Sequence, residues 1–198
     1  NLELVAMDLP GAEESGPLAD AREAARRGAE LVTELLSFAG RGRSARRQVD
    51  VSGLAAEVVR YARRIPGPPV PIEQELAPVP PVEADPTQLR QLVMNLLVNA
   101  IEATRGFGSR VTVRTRTLDW IEAVGDGLAG APRAAGQYVL LQVTDDGAGM
   151  DPETRARVFD PFFTTKPAGH GLGLANALGA VRSHGGSITL ESEPGRGA

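Results

Sequence analysis

Residues 85–104 read DPTQLRQLVMNLLVNAIEAT, and this stretch decides the fold. Aspartate followed by proline is typical of a helix start, because the carboxylate of Asp85 can cap backbone N–H groups and Pro86 suits the first helical position. Apolar residues then recur at steps of three and four, which predicts an amphipathic helix that continues to about Thr104.

The polar face of this predicted helix consists of amides and one carboxylate. At ~100° per residue, five such side chains fall within about 80° of one another; they are Gln88, Gln91, Asn95, Asn99 and Glu102. Their oxygens can bind a hard cation without strong mutual repulsion. An ordinary amphipathic helix has the same pattern, so the line of amides alone leaves the function open.

The strand predicted for residues 138–145 ends in a carboxylate that points into the protein. Its apolar residues alternate toward one face, and the same alternation places Asp145 on that buried side. A buried carboxylate needs a hydrogen-bond partner. Asp146 points the other way and is interpreted as a turn residue. Gly147 and Gly149 follow, and they allow the backbone to approach another group closely.

Further elements are predicted from the same patterns on either side of these two. Residues 110–118 alternate as a half-solvated strand antiparallel to residues 138–145, and residues 119–137 between them are interpreted as a long loop in which Trp120 packs on the sheet edge. The remaining predictions are helices over residues 54–62, 152–158 and 172–184 and strands over residues 70–76 and 187–193.

A glycine-rich segment, GHGLGL (residues 169–174), opens the last of these helices. Glycines at a helix N-terminus can bind an anion through free N–H groups and the helix dipole. A lone G-x-G-x-G is weak evidence, because glycine-rich turns are common. It does not match the P-loop pattern either, since no Gly-Lys-Ser/Thr is present.

The first 47 residues differ in character from the rest. A helix with one apolar stripe is predicted before Gly40, and it needs a partner to cover that stripe. A short basic run follows and is interpreted as a solvated linker rather than a nucleic-acid contact, because no aromatic residues are interleaved; it consists of Arg41, Arg43, Arg46 and Arg47.

Composition excludes several classes of protein. The 198 residues carry a net charge of −4, which argues against a generally basic nucleic-acid binder. Cysteine is absent, so disulfides, thiolate metal sites and cysteine catalysis are excluded. The two histidines, His170 and His184, cannot form a three-histidine zinc site. No apolar run approaches ~18 residues, and we expect a soluble, cytoplasmic protein without membrane contact.

Four segments, in this order, resemble the N, G1, F and G2 boxes of sensor histidine kinases, which belong to the gyrase, Hsp90, histidine kinase and MutL ATPase superfamily. They are NLLVNA (residues 95–100), DDGAGM (145–150), FDPFFTTK (159–166) and GHGLGL (169–174). The resemblance implies an α/β (α+β) two-layer sandwich of the Bergerat type, with a mixed sheet covered on one face by helices, over residues 48–198. Residues 1–47 resemble part of the dimerisation and phosphotransfer helical hairpin, and residues 171–175 and 183–186 resemble those of hybrid kinases.

The resemblance also implies roles. Asn99, with Asn95 beside it, would bind Mg²⁺ that bridges the triphosphate of ATP, and Asp145 would accept the adenine amino group. Asn95 and Lys166 would be the catalytic positions, and Phe159 and Phe162 would anchor a mobile lid over residues 164–171. The residues implied to surround the nucleotide are Gly147, Gly149, Met150, Phe159, Thr164, Thr165, Lys166, Gly169, His170, Gly171, Leu172, Gly173 and Leu174.

Two departures from the family pattern concern the ends of the chain. The phosphoacceptor histidine of the family lies upstream of anything that matches Asn1, and the family usually has one more strand after Ala198. His170 and His184 are poor substitutes for that acceptor, since His170 lies in the implied lid and His184 in a last helical turn, where it suits the helix dipole.

The resulting hypothesis is a sensor histidine kinase that binds Mg-ATP and transfers the γ-phosphoryl group to a histidine, and from there to an aspartate of a response regulator receiver domain. The chain would form a homodimer through the helical hairpin. Two alternatives stay open: an ATP-binding scaffold without kinase activity, and an ATP-hydrolysing relative. Hydrolysis needs a general base at the position of Asn95, and an amide cannot act as one.

Overall fold

The computed structural model describes residues 46–65, 69–120, 128–130, 135–166 and 169–198. These residues belong to one compact unit, Arg43–Ala198. The predicted helix before Gly40 and the first two arginines of the basic run lie outside the described residues. No helix within the described ranges is long and apolar enough to cross a membrane.

The described part of this unit contains both helices and strands, and two helices follow each other near its end. The order is β1 (Arg47–Val49), α1 (Val51–Ala62), β2 (Ile72–Leu76), β3 (Val82–Ala84), α2 (Pro86–Thr104), β4 (Val111–Trp120), β5 (Leu128–Gly130), β6 (Gly136–Asp145), α3 (Pro152–Arg157), α4 (Gly173–Ser183) and β7 (Ser187–Thr189). The predicted helices are confirmed to within a few residues at their ends.

The central sheet is mixed, as predicted. Strand β4 lies in the middle, parallel to β2 and antiparallel to β6, and Val111 pairs with Asp145 in that register. One face is apolar, with Val111 and Val113 fully buried. The other face is charged, where Arg114 Nε donates to Glu75 Oε2 at 2.6 Å. Helices therefore cover one face of the sheet and solvent covers the other.

Helices α1 and α2 bury their apolar sides against this sheet. Leu97 and Val93 of α2 and Val59 of α1 are at most 1% exposed and lie in the same hydrophobic core. Helix α2 begins as predicted, because the Asp85 carboxylate accepts from the backbone N–H groups of Thr87 (2.8 Å) and Gln88 (3.3 Å). The polar line of α2 is consequently turned away from the sheet.

Three details of the sequence-based prediction were wrong. Residues 119–137 are not wholly loop, because β4 and β6 extend until Trp120 pairs with Gly136, and β5 lies between them in sequence. The predicted last strand is shorter and pairs with β5. Strands β1 and β3 pair with each other and were not predicted, since three residues are too few to show an alternating pattern. Backbone pairing between β4 and β6 continues beyond the residues whose strand propensity predicted these strands.

The C-terminus of α4 is joined to the N-terminus of α2 by His184. Its Nε2 accepts from the backbone N–H of Asp85 (3.0 Å), and its Nδ1 lies 2.7 Å from the carbonyl oxygen of Ala180. A ring nitrogen that accepts a hydrogen bond carries no proton, so Nδ1 is the donor to Ala180. His184 thus donates to a carbonyl oxygen of the last turn of α4. Arg46 also donates there, to the carbonyl oxygen of Ser183.

Asp146 joins the end of β6 to the start of β4. Its Oδ1 accepts from the backbone N–H groups of Ser109 (2.7 Å) and Arg110 (2.9 Å), and its Oδ2 accepts from the Ser109 hydroxyl (2.6 Å). The hydroxyl of Ser109, followed by the two backbone N–H groups, lowers the pKa of Asp146 to about 2. Asp146 is therefore a turn residue, as predicted.

Replacing His184 with alanine should lower the free energy of unfolding by about 1–2 kcal/mol, because the N–H of Asp85 loses its acceptor. Urea unfolding followed by circular dichroism measures this change. Arg182→Ala is the control, since Arg182 is exposed on the same helical turn and should change stability by less than ~0.5 kcal/mol. Equal losses in the two variants would contradict a specific link through His184.

Asp146 should stabilise the fold in a pH-dependent manner. A folded-state pKa of about 2 lies below the usual 3.8, so this stabilisation is complete above pH 3.8 and is lost as the pH falls toward about 2. The difference in unfolding free energy between the protein and Asp146→Ala should be constant near neutral pH and shrink over that range. Glu191→Ala, at an exposed site, serves as the control. A difference that stays constant with pH would refute the assignment.

Candidate functional site

The polar side of α2 carries Gln91, Asn95, Asn99 and Glu102 and is called the amide line below. It faces the start of α4 and the side chain of Lys166. Asn95 Nδ2 donates to the carbonyl oxygen of Gly173 (2.9 Å), and Asn95 Oδ1 accepts from Gln91 Nε2 (2.9 Å). Asn99 Nδ2 donates to the carbonyl oxygen of Asn95 (3.0 Å). Both ends of the Asn95 amide are thus engaged within the protein, whereas the oxygen of Asn99 points toward Lys166.

Lys166 places a positive charge at the end of this line. Its Nζ donates to Asn99 Oδ1 at 2.9 Å and forms an ion pair with Glu102 Oε2. The two charged side chains are each 38% exposed. The turn after β6 reaches the same helix, because the Ala148 N–H, three residues after Asp145, donates to the carbonyl oxygen of Ala103 (3.0 Å). Two oxygens of α2 therefore contact a cationic group, and the turn after β6 packs against the end of that helix.

Asp145 lies at the end of β6 on the buried side, as the alternation predicted. It is 7% exposed, and its Oδ1 accepts from the backbone N–H of Gly147 at 2.9 Å. Burial is the largest influence and raises the pKa of the carboxyl above its usual value, whereas the Gly147 N–H opposes this rise. A buried carboxylate with remaining acceptor capacity suits a ligand that donates hydrogen bonds.

The glycines that follow Asp145 are required by the packing of the chain itself. A Cβ atom on Gly147 would overlap the carbonyl group of Ala103, and one on Gly149 would overlap the carbonyl oxygen of Glu193. Gly149 also has a φ of +67°, which favours glycine. These contacts explain why glycine is needed at both positions even when no nucleotide is bound. The contact of Gly147 with Ala103 also places the Asp145 turn against the end of α2. Met150 follows and is half-buried.

The phenylalanines implied to anchor a lid behave differently from each other. Phe162 is 65% exposed and has a φ of +68°, so its ring anchors nothing. Its backbone N–H does bind, donating to the carbonyl oxygen of Gly171 at 2.9 Å. Phe159 is half-buried, and the ring of Phe163, which was not singled out, lies 4.4 Å from the Arg157 guanidinium.

The implied lid over residues 164–171 is only partly described, because residues 167 and 168 lie outside the described residues. Thr164 Oγ1 accepts from the backbone N–H of Lys166 (3.0 Å), Thr165 is exposed, and His170 is half-buried. A Cβ on Gly171 would overlap the backbone of Phe162, and one on Gly169 would lie 2.5 Å from Thr164 Oγ1. These two glycines therefore shape the segment itself.

The start of α4 completes the site. Leu172 precedes the helix, is 1% exposed, and gives no side-chain cap. A Cβ on Gly173 would lie in van der Waals contact with Asn99 Nδ2 (3.7 Å), so the start of α4 packs closely beside the amides of α2. Leu174 is half-buried beside it. An uncapped helix start that faces amide side chains can bind an anion.

These residues fit a magnesium nucleotide. The Lys166 ammonium already lies against the oxygens of Asn99 and Glu102, so that position suits a cation. The helix start suits phosphate and the buried Asp145 suits an amino group. The sequence placed Glu102 on the polar face of α2 but did not reveal that Lys166 contacts it. The ~100° spacing that puts Glu102 on the amide line was the available signal.

A family model described as "Histidine kinase-, DNA gyrase B-, and HSP90-like ATPase" matches residues 84–198. The sensor kinase CckA of Brucella abortus (strain 2308) is 33% identical over 179 residues, which are 89% of this chain and 19% of that protein. The sensor histidine kinase ZraS of Klebsiella oxytoca is 39% identical over 117 residues, which are 59% of this chain and 22% of that protein. The chain thus spans about a fifth of the length of these relatives.

Two solved structures are similar in fold. Full-length ShkA in complex with AMPPNP has a TM-score of 0.68 at 28% sequence identity, covering 91% of this chain and 36% of that one. The mycobacterial sensor histidine kinase MprB has a TM-score of 0.54 at 29% identity, covering 71% and 81%. Because the family model covers more than half of the sequence and these relatives are sensor kinases, the chain belongs to the histidine kinase-, DNA gyrase B- and HSP90-like ATPase family and, within it, to the sensor histidine kinases.

Proposed function

We propose that the chain is the nucleotide-binding catalytic region of a sensor histidine kinase, which binds Mg-ATP and provides its γ-phosphoryl group to a histidine. The observation that carries the proposal is the contact of Lys166 with Asn99 beside the uncapped start of α4, together with the buried Asp145 in a turn that packs against the end of α2. One end of this site suits an adenine amino group and the other suits a triphosphate with its metal.

Asp145 would bind the adenine through a hydrogen bond from the exocyclic amino group. Its Oδ1 is held by the Gly147 N–H at 2.9 Å, which fixes the orientation of the carboxylate. The carboxylate presents only acceptors when ionised, so it suits adenine, which has an amino donor, better than guanine, which has a carbonyl at the same ring position.

Asn99 is the better candidate for the metal, because its oxygen already accepts from a cation, Lys166 Nζ, whereas the oxygen of Asn95 accepts from the neutral amide of Gln91. Asn95 would act by positioning the start of α4 against α2. Bound Mg²⁺ would supply neutralisation of the charge on the triphosphate. The first-turn N–H groups of α4 would receive phosphate oxygens, and Lys166 would contact the terminal phosphate.

The γ-phosphoryl group would pass from the β-phosphate oxygen of ATP to an imidazole nitrogen, leaving ADP, and then to an aspartate of a response regulator receiver domain. The names of the relatives support this sequence of transfers, since they are sensor kinases of two-component systems. A homodimer formed through the helical hairpin and a cytoplasmic location belong to the same proposal. Neither nucleic acid nor a membrane is a partner of this region in it.

Asp145→Asn should weaken the binding of ADP by roughly 5- to 100-fold, because an amide that accepts from Gly147 turns its NH₂ group toward the adenine amino group. Calorimetric titration with Mg-ADP measures the affinity. Asp146→Asn is the matched control, because that side chain is bonded to Ser109 and Arg110 instead, and its affinity should be unchanged. Unchanged affinity in Asp145→Asn would refute the adenine assignment.

The purified chain should bind ATP but hydrolyse it slowly. Asn95 cannot take a proton from water, and Glu102 lies nearly two helical turns further along α2. Incubation with γ-labelled ATP should release little phosphate and should leave no label on His184, whose ring nitrogens are both bonded within the fold. Adding a longer version that carries the hairpin histidine and cannot bind ATP would restore labelling if transfer between subunits is allowed.

Rapid hydrolysis that is abolished by Glu102→Gln would favour the ATP-hydrolysing alternative. Stable label lost on changing His170 or His184 would show that the phosphoacceptor lies in this region. Full nucleotide affinity without any transfer to a histidine-containing partner would favour a scaffold.

A further inference from the structure

We propose that Glu102 is a positioning residue that holds Lys166 over the metal-binding oxygen of Asn99 until a nucleotide binds, and that this ion pair lowers the affinity of the site for both ADP and ATP. The inference rests on the proposed function of the site. It goes beyond it by assigning a role to Glu102, which lies on the helix four residues before Gly106 and outside every family box identified in the sequence.

The Lys166 ammonium group occupies the position beside Asn99 where a metal is expected. Lys166 Nζ donates to Asn99 Oδ1 at 2.9 Å and pairs with Glu102 Oε2. An amide oxygen whose lone pairs face an ammonium group cannot at the same time coordinate Mg²⁺ on that side, because two cations would lie within a few ångströms of each other. Binding of a magnesium nucleotide therefore requires Lys166 to leave Asn99.

Stability does not explain the ion pair. Both side chains are 38% exposed, and an ion pair of that exposure contributes little to folding. Short-range hydrogen bonds hold the backbone of Lys166, from its own N–H to Thr164 Oγ1 and from the Gly169 N–H to its carbonyl oxygen. None of them fixes the position of its side chain. Glu102 is what directs the long side chain back to α2.

The two nucleotides differ in what they offer the displaced lysine. ATP has a γ-phosphate, which can replace the carboxylate of Glu102 as the anionic partner of Lys166. ADP lacks this group, so a lysine displaced by ADP loses the oxygen of Asn99 and gains no equivalent acceptor. The starting position of Lys166 thus opposes both nucleotides, and only ATP compensates for it.

The test is calorimetric binding of Mg-ADP and of magnesium with a non-hydrolysable ATP analogue to three proteins. In Lys166→Met, affinity for Mg-ADP should rise roughly two- to fivefold, and affinity for the ATP analogue should fall roughly tenfold. In Glu102→Gln, both affinities should rise by a similar two- to fivefold factor, because the lysine is released more easily and can still reach the γ-phosphate.

Glu75→Gln and Arg114→Met provide the matched controls. They remove one charge each from another exposed ion pair, on the solvent face of the sheet, with side chains 50% and 45% exposed. Both nucleotide affinities should be unchanged in these variants. Circular dichroism of all variants checks that they fold.

Three results would overturn the inference. Lower affinity for both nucleotides in Glu102→Gln would make Glu102 part of the binding surface for the metal or phosphate. Equal loss of both affinities in Lys166→Met would mean that Lys166 contacts a group that ADP and ATP share. Unchanged affinities in both variants would make the ion pair irrelevant to binding. By contrast, failure of the unaltered protein to bind either nucleotide would refute the proposed function itself.

Discussion

The burial of one side of α2 is the constraint on which the site depends. Leu97 and Val93 must leave water, and the sheet is the surface that accepts them. Burial of this side determines which way the opposite side of the helix faces, and the opposite side carries the amides. The hydrogen bond from Asn95 to Gly173 extends this constraint to α4, whose start is held against the amide line. The apolar side of α2 therefore fixes the helix on the sheet, and this fixes where its polar side presents the amides.

The remaining parts of the site are positioned by polar contacts with the backbone. Gly147 and Gly149 allow the Asp145 turn to contact the end of α2 and the carbonyl oxygen of Glu193. His184 fixes the far end of α4 to the start of α2, some 16 Å from Gly173 at ~1.5 Å per residue. Helix α4 is consequently bonded to α2 at both of its own ends, at the start and the middle of α2, and the two helices have little freedom to separate along this length.

Residue patterns predicted the parts of the molecule that repeat or that begin with strong local signals. The start of α2 at Asp85–Pro86, the burial of Asp145 and the turn role of Asp146 each follow from local chemistry, and each is confirmed. Strands β1 and β3 could not be predicted, because their pairing joins short segments far apart in sequence. The same applies to the contact of Lys166 with Glu102, which lie 64 residues apart.

The backbone turn at residues 193–198 packs directly against the backbone of Asp145. Asp145 donates its N–H to the carbonyl oxygen of Ala198 (2.8 Å), and Gly195 donates to that of Ala148 (2.7 Å). Local opening of a short segment outside helices and strand ladders requires less free energy than global unfolding. Each opening would hydrate the carboxylate while the sheet stays intact. A nucleotide bound to the closed form would suppress these openings, so its affinity and the local stability of residues 193–198 are coupled by linkage.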